Sequence, residues 1–185
     1  MEHTPIPAAG GSKIRALPFF GDFTDAELDD LVGRMSEWEL PRGHLLFAEG
    51  SATTSLYIPV QGAVEATQRR GARVHRLAVL GPGRLVGEIA LLDGRPRAAT
   101  VRALEPAVLL ELDDRHFSRL VDSGSPLALR LLEALNRNLI AALHRRDSEA
   151  IAVGSSVPER GPRRVAARGS SGEPTVPART GCWGV

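Results

Sequence analysis

Between residues 81 and 101 the chain reads GPGRLVGEIALLDGRPRAATV, which sets a glycine, a carboxylate and a guanidinium within one short window. Gly87 has no Cβ, so its backbone can come close to a bound group. It opens the segment Glu88 to Leu92, whose first amides would find no acceptor within their own helix. Amides left in that position attract phosphate. Glu88 stands beside them, where a carboxylate would compete with an anion unless it faced a neutral group. Accepting hydrogen bonds from a sugar hydroxyl satisfies that condition. Arg97 supplies the positive charge: its planar fork matches two phosphate oxygens, and one charge-assisted bond contributes about 1.5–3 kcal/mol. Ala98 and Ala99 follow with backbone donors and no side-chain bulk. Such a set captures a phosphate-bearing sugar without making or breaking bonds.

The run resembles the phosphate-binding cassette of the cyclic nucleotide-binding domain family, found in catabolite activator proteins, regulatory subunits of cAMP-dependent protein kinase and cyclic nucleotide-gated channels. The resemblance implies that Glu88 binds the ribose 2′-hydroxyl and Arg97 the cyclic phosphate. It also implies that Gly87, Ala90, Ala98 and Ala99 lie against the ligand, with Ile89 in the same binding segment. In that family the residue after the arginine helps to choose the purine, a hydroxyl favouring cGMP and alanine favouring cAMP. Ala98 at this position points to cAMP, with cGMP the less favoured ligand. Val86 departs from the family, which usually places phenylalanine just before the glycine, and is expected to pack less fully under the cassette.

Several elements must position this window. Residues 1–12 are rich in Pro and Gly and read as a disordered leader. Thr24 and Glu27 have the spacing of a capping box, Phe23 and Leu28 flank it as a staple, and Leu28, Leu31, Val32 and Met35 follow one helical face. Short segments come next: His44 to Phe47, Ser55 to Val60, Ala63 to Thr67, Val74 to Leu80, Ala98 to Ala103 and Ala107 to Leu112. Glycines at 50, 62, 71, 81 and 83 punctuate them. That spacing predicts an antiparallel sandwich or barrel. The resemblance makes the fold a mainly β cyclic nucleotide-binding-domain-like β-roll (a jelly roll), with an N-terminal helix, a long C-terminal helix and the cassette inserted between two strands.

After Leu112, Asp113 or Asp114 can cap a helix holding Phe117, Leu120 and Val121. Ser125-Pro126 starts a longer one, expected over about 126–148. On it Leu132, Leu135, Leu139 and Ala142 step by three, four and three, the spacing of a helix-pairing stripe. The resemblance makes this helix a lid over the nucleotide, and in the catabolite activator branch a homodimer contact; packing on its own β-roll explains the same stripe. The folded domain is expected over residues 13–149, and residues 150–185, rich in Arg, Gly, Pro and Ser, read as a disordered tail. The tail shows no two-helix periodicity that would hold a helix-turn-helix, so DNA is not the favoured partner. The tail's Trp183 reads as part of the disordered tail, although the resemblance, in which an aromatic from the C-terminal segment often caps the base, also makes it a candidate cap.

Composition narrows the function classes. The 185 residues carry a formal net charge of +1, so no global field draws the chain to nucleic acid or anionic lipid. Cys182 is the single cysteine, which excludes an intrachain disulfide and a multi-cysteine metal site and fits a reducing cytoplasm. No basic start with an apolar core opens the chain, and no apolar run approaches the roughly 18 residues of a membrane span. The five histidines lack metal-ligand spacing. Arg69, Arg70, Arg73 and Arg76 make a small basic hairpin that reads as a solvated turn. The expected protein is a cytoplasmic, non-enzymatic cAMP sensor acting on an effector protein. The alternatives are a catabolite-activator-type transcriptional regulator without a recognisable helix-turn-helix, and a ligand-free interaction scaffold.

Overall fold

The N-terminal helix α1 (Asp25–Val32) begins where its capping sequence places it. The Thr24 Oγ1 accepts from the Glu27 amide at 3.3 Å, and Glu27 Oε2 accepts from the Thr24 amide at 2.9 Å, so two orphan donors of the first turn are satisfied reciprocally. Phe23 and Leu28 are both buried beside it. The helical periodicity expected to reach Met35 stops at Val32, where Gly33 caps the helix. Met35 stays in the core, and the chain turns directly into a strand that the sequence reading did not anticipate.

That strand is β1 (Ser36–Leu40), followed by β2 (Leu45–Phe47), β3 (Leu56–Gln61), β4 (Val64–Arg70), β5 (Arg73–Leu80), β6 (Thr100–Ala103) and β7 (Ala107–Leu112). They form two antiparallel sheets of order β1-β7-β3 and β2-β6-β4-β5, the mainly β roll expected, with helices flanking it. The computed structural model describes residues 14–154, with side chains through His144. The chain divides into two units, Met1–Asp147 and Ser148–Val185. Of the second unit only helical backbone to Gly154 is described.

β7 explains how the roll is packed. Its side chains alternate between two faces, as the pleat requires. Leu110 and Leu112 join Phe20, Leu28, Leu31, Leu131 and Leu135 in a core between sheet and helices. Ala107 and Leu109 join Phe47, Tyr57, Val64, Val86 and Val101 in a second core between the sheets. The cassette leaves β5, runs through the short helix α2 (Glu88–Asp93) and returns as β6. Val86 anchors its start: it pairs with Tyr57 in an isolated antiparallel bridge, with N–H···O distances of 2.9 Å in both directions. At 2% exposure, Val86 is buried in the inter-sheet core.

Asp113, rather than Asp114, caps α3 (Asp114–Asp122), its Oδ1 accepting from the His116 amide at 2.7 Å. The Ser125 Oγ accepts from the Ala128 amide at 3.2 Å at the start of α4 (Pro126–Gly154), which runs past the end expected near Ser148. The buried face of α4 is Leu127, Ala128, Leu131, Ala134 and Leu135. Of the stripe read from sequence only Leu135 is fully buried; Leu132, Leu139 and Ala142 lie at the edge of the contact and are half-buried. Packing against α1 and the sheet selects the face centred on Leu131. Arg130 Nε donates to Glu27 Oε1 at 3.0 Å and Arg137 pairs with Asp22 at 2.7 Å, tying α4 to the N-terminal segment. The leader at 1–12, the tail arginines, Cys182 and Trp183 lie outside the described residues.

Truncating Leu131 to Ala should cost about 2–5 kcal/mol, because it empties a fully buried site. Thr24→Ala, which removes one cap, should cost about 1 kcal/mol. Urea unfolding of the two variants checks the order.

Candidate functional site

Gly87 precedes α2 in the left-handed region, at φ 84° and ψ 15°, a conformation that glycine adopts freely. A Cβ built there would collide with Arg97 Nη1, so the glycine is required twice, by its backbone angle and by its neighbour. Its carbonyl accepts from Arg97 Nη1 at 2.9 Å, which brings two of the residues singled out from the sequence into direct contact. Glu88 opens α2 and is half-buried, Ile89 is exposed and Ala90 is buried. Ala98 is exposed and its carbonyl accepts from Gln68 Nε2 at 3.1 Å, while Ala99 packs against the inter-sheet core.

Arg97 is the one buried charged residue among those described, at 2% exposure. Burying an unpaired cation is costly, and this one is paired at every nitrogen. Nε donates to Thr53 Oγ1 at 3.1 Å, Nη1 to the Gly87 carbonyl and Nη2 to the Ser55 carbonyl at 2.6 Å. Its main chain is held by the same loop, its amide donating to Ser51 O at 2.9 Å and its carbonyl accepting from the Gly50 amide at 2.8 Å. Beneath the guanidinium lies an aromatic floor, with Cζ 4.0 Å from the Phe47 ring centroid and 5.8 Å from that of Tyr57. Burial pulls the guanidinium below its ordinary pKa, and Tyr57, Glu111 and Glu88 oppose that pull. An arginine stays cationic under such shifts.

Phe47, Thr53, Ser55, Tyr57 and Glu111 were not among the residues read from the sequence as belonging to the site. Tyr57 Oη donates to Glu111 Oε1 at 2.8 Å and Trp38 Nε1 donates to Glu111 Oε2 at 2.6 Å. Burial, then the charge of Glu111 and its hydrogen bond, push the Tyr57 hydroxyl well above the usual tyrosine range, so it remains a donor. One sequence signal was available: Glu111 is the lone charge in the apolar strand AVLLEL.

Other chemistry finds little support. Among the described residues no group of three or more His, Cys, Asp or Glu side chains is arranged to hold a metal. His116 pairs with the capping Asp113 at 2.8 Å. The arginines of the β4–β5 hairpin are exposed, with Arg76 against Glu65 at 3.4 Å. Among the described residues no helix is long and apolar enough to cross a membrane.

Residues 37–123 match the family model described as the cyclic nucleotide-binding domain. The fold matches the crystal structure of the N-terminal domain of a transcriptional regulator from Streptomyces coelicolor at a TM-score of 0.61 and 34% identity, covering 78% of this chain and 99% of that one. The chain belongs to the cyclic nucleotide-binding domain family. This domain is also 31% identical, over 74% of the chain, to the cyclic AMP receptor protein of Thermus thermophilus. It is 27% identical, over 59%, to a CRP-like cAMP-activated global transcriptional regulator of Mycobacterium tuberculosis. The chain spans 60% and 49% of those two relatives. It is thus a cyclic nucleotide-binding regulatory domain, homologous to CRP-like regulators.

Gly87→Ala should cost this cyclic nucleotide-binding domain about 1–3 kcal/mol in backbone strain, with the clash at Arg97 adding to it. Thermal unfolding of the variant beside Gly94→Ala separates the two contributions. Gly94 has the same sign of φ, and nothing lies within reach of its Cβ.

Proposed function

We propose that this domain is a non-enzymatic cytoplasmic sensor that binds cAMP in preference to cGMP and signals occupancy to an effector protein. The observation that carries the reading is the direct contact between the left-handed Gly87 and the buried Arg97 guanidinium, with Glu88 next along the chain. A guanidinium has five N–H groups, and three are spent on Thr53, Gly87 and Ser55. The two that remain, one on each terminal nitrogen, serve the cyclic phosphate. Glu88 takes the ribose 2′-hydroxyl, and Ile89, Ala90, Ala98 and Ala99 line the rest of the site. Ala98 leaves no hydroxyl for a guanine, which favours cAMP. Since Arg97 is almost fully covered, the phosphate reaches it as the loop at 50–55 or the cassette gives way.

Occupancy is transmitted by linkage: a ligand that binds one arrangement of the cassette and α4 more tightly shifts the population toward it. Calorimetric titration should show cAMP binding tighter than cGMP, Arg97→Ala should abolish it, and Ala98→Thr should move the preference toward cGMP. At 100-fold excess over Kd, cAMP should add about 2.7 kcal/mol to stability. Silence with both nucleotides would leave a ligand-free scaffold.

The second face of α4 supports a homodimer. Leu129 and Leu143 are exposed, and with Leu132, Asn136 and Leu139 they step by three, four, three and four along the flank beside the buried face. Asn136 occupies the kind of core position at which a polar side chain sets register in a two-stranded pair. Sedimentation should give a dimer, and Leu132→Asp with Leu139→Asp should give a monomer that keeps its fold.

A further inference from the structure

Glu111 is a half-buried carboxylate in an otherwise apolar strand, and its hydrogen bonds show what it holds there. Glu111 shares a face of β7 with Ala107 and Leu109, the face between the two sheets. Both of its oxygens are engaged. Tyr57 stands directly across from it in the β3–β7 register and donates to one oxygen. Trp38 comes from the other neighbouring strand, two residues along from the Ser36 that pairs with Glu111, and donates to the other.

This row of three side chains leads to Arg97. The Tyr57 ring lies 6.0 Å from Phe47, centroid to centroid, and the two rings make the floor on which the guanidinium rests. The phenolic oxygen lies on the axis of the second side-chain torsion, so a hydroxyl held at 2.8 Å fixes the first torsion and with it where the ring lies. Without that anchor the guanidinium would keep its hydrogen bonds to Thr53, Gly87 and Ser55, but the ring beneath it would lose its tie to β7 and the floor its fixed height. The main chain points the same way: Tyr57 also forms the bridge to Val86, immediately before Gly87, so one residue locates both the floor and the entry of the cassette.

We propose that Glu111, acting through Tyr57, is a positioning residue for the anion-binding guanidinium of Arg97. Its hydrogen bonds go to Tyr57 and Trp38: its charge acts on the guanidinium from a distance, and the bond to Tyr57 holds the ring on which the cation rests. The inference rests on Arg97 being the phosphate-binding group, and its first test is made without any nucleotide.

In the full-length 15N-labelled protein the Arg97 Nε–H, bonded to Thr53, should give a protected resonance, assigned by its loss in Arg97→Ala. Tyr57→Phe, which keeps the ring, and Glu111→Gln should each shift this resonance and speed its hydrogen exchange about tenfold. Leu110→Val, the neighbouring residue on the opposite face of β7, should leave it in place. The first two variants should also weaken cAMP binding about tenfold, the scale of a desolvated cation–π contact. An Arg97 resonance unmoved in Tyr57→Phe, or moved with unchanged cAMP affinity, would overturn the proposal. Should the wild type bind neither cyclic nucleotide, the proposed function fails while the ligand-free resonance still decides the role of Glu111. Should Glu111→Gln not fold, Tyr57→Phe decides alone.

Discussion

A guanidinium at 2% exposure inside a β-roll must be supplied with acceptors and with a surface to lie on, and much of the local architecture follows from that requirement. Two acceptors are main-chain carbonyls, of Gly87 and Ser55, so the start of α2 and the end of the loop before β3 must both come within hydrogen-bond reach of one side chain. That reach leaves no room for a Cβ at residue 87. The floor of Phe47 and Tyr57 draws on β2 in one sheet and β3 in the other, so the cation rests where the two sheets meet.

The division of β7 into two faces keeps this polar arrangement apart from the helices. Leu109 and Leu110 are neighbours in the chain, yet one packs between the sheets and the other against α1 and α4. The helix-facing core is the larger, and it carries the Phe19, Phe20 and Phe23 cluster with ring centroids 5.0–6.1 Å apart. The inter-sheet core is smaller and includes the aromatic floor of the cation. The helix-packed core and the buried cation are thereby assigned to opposite sides of one strand.

The sequence was most legible where the physics is local. The Thr24–Glu27 box, the Ser125-Pro126 start and the glycine-bounded strands were readable because caps and turns are made by residues a few positions apart. The proximity of Gly87 and Arg97 was readable for the same reason, both lying in one window. β1 escaped because Met35 continued the helical spacing, and SEWEL, with two glutamates, offers only weak alternation. Thr53 and Ser55 reach Arg97 across 44 and 42 residues, and Glu111 reaches Tyr57 across 54, through sheet pairing that no local pattern announces. The stripe read on α4 left open whether it faced the roll or a partner, because Leu is abundant on several sides of that helix; the roll takes the face centred on Leu131.

Glu27 divides its carboxylate between two masters. One oxygen closes the first turn of α1 and the other receives Arg130 from α4. Pulling α4 away therefore leaves an arginine unpaired, and turning Glu27 to follow it uncaps α1. The orientation of α4 and the first turn of α1 are thus set by one carboxylate, beside the core that both helices share with the sheet.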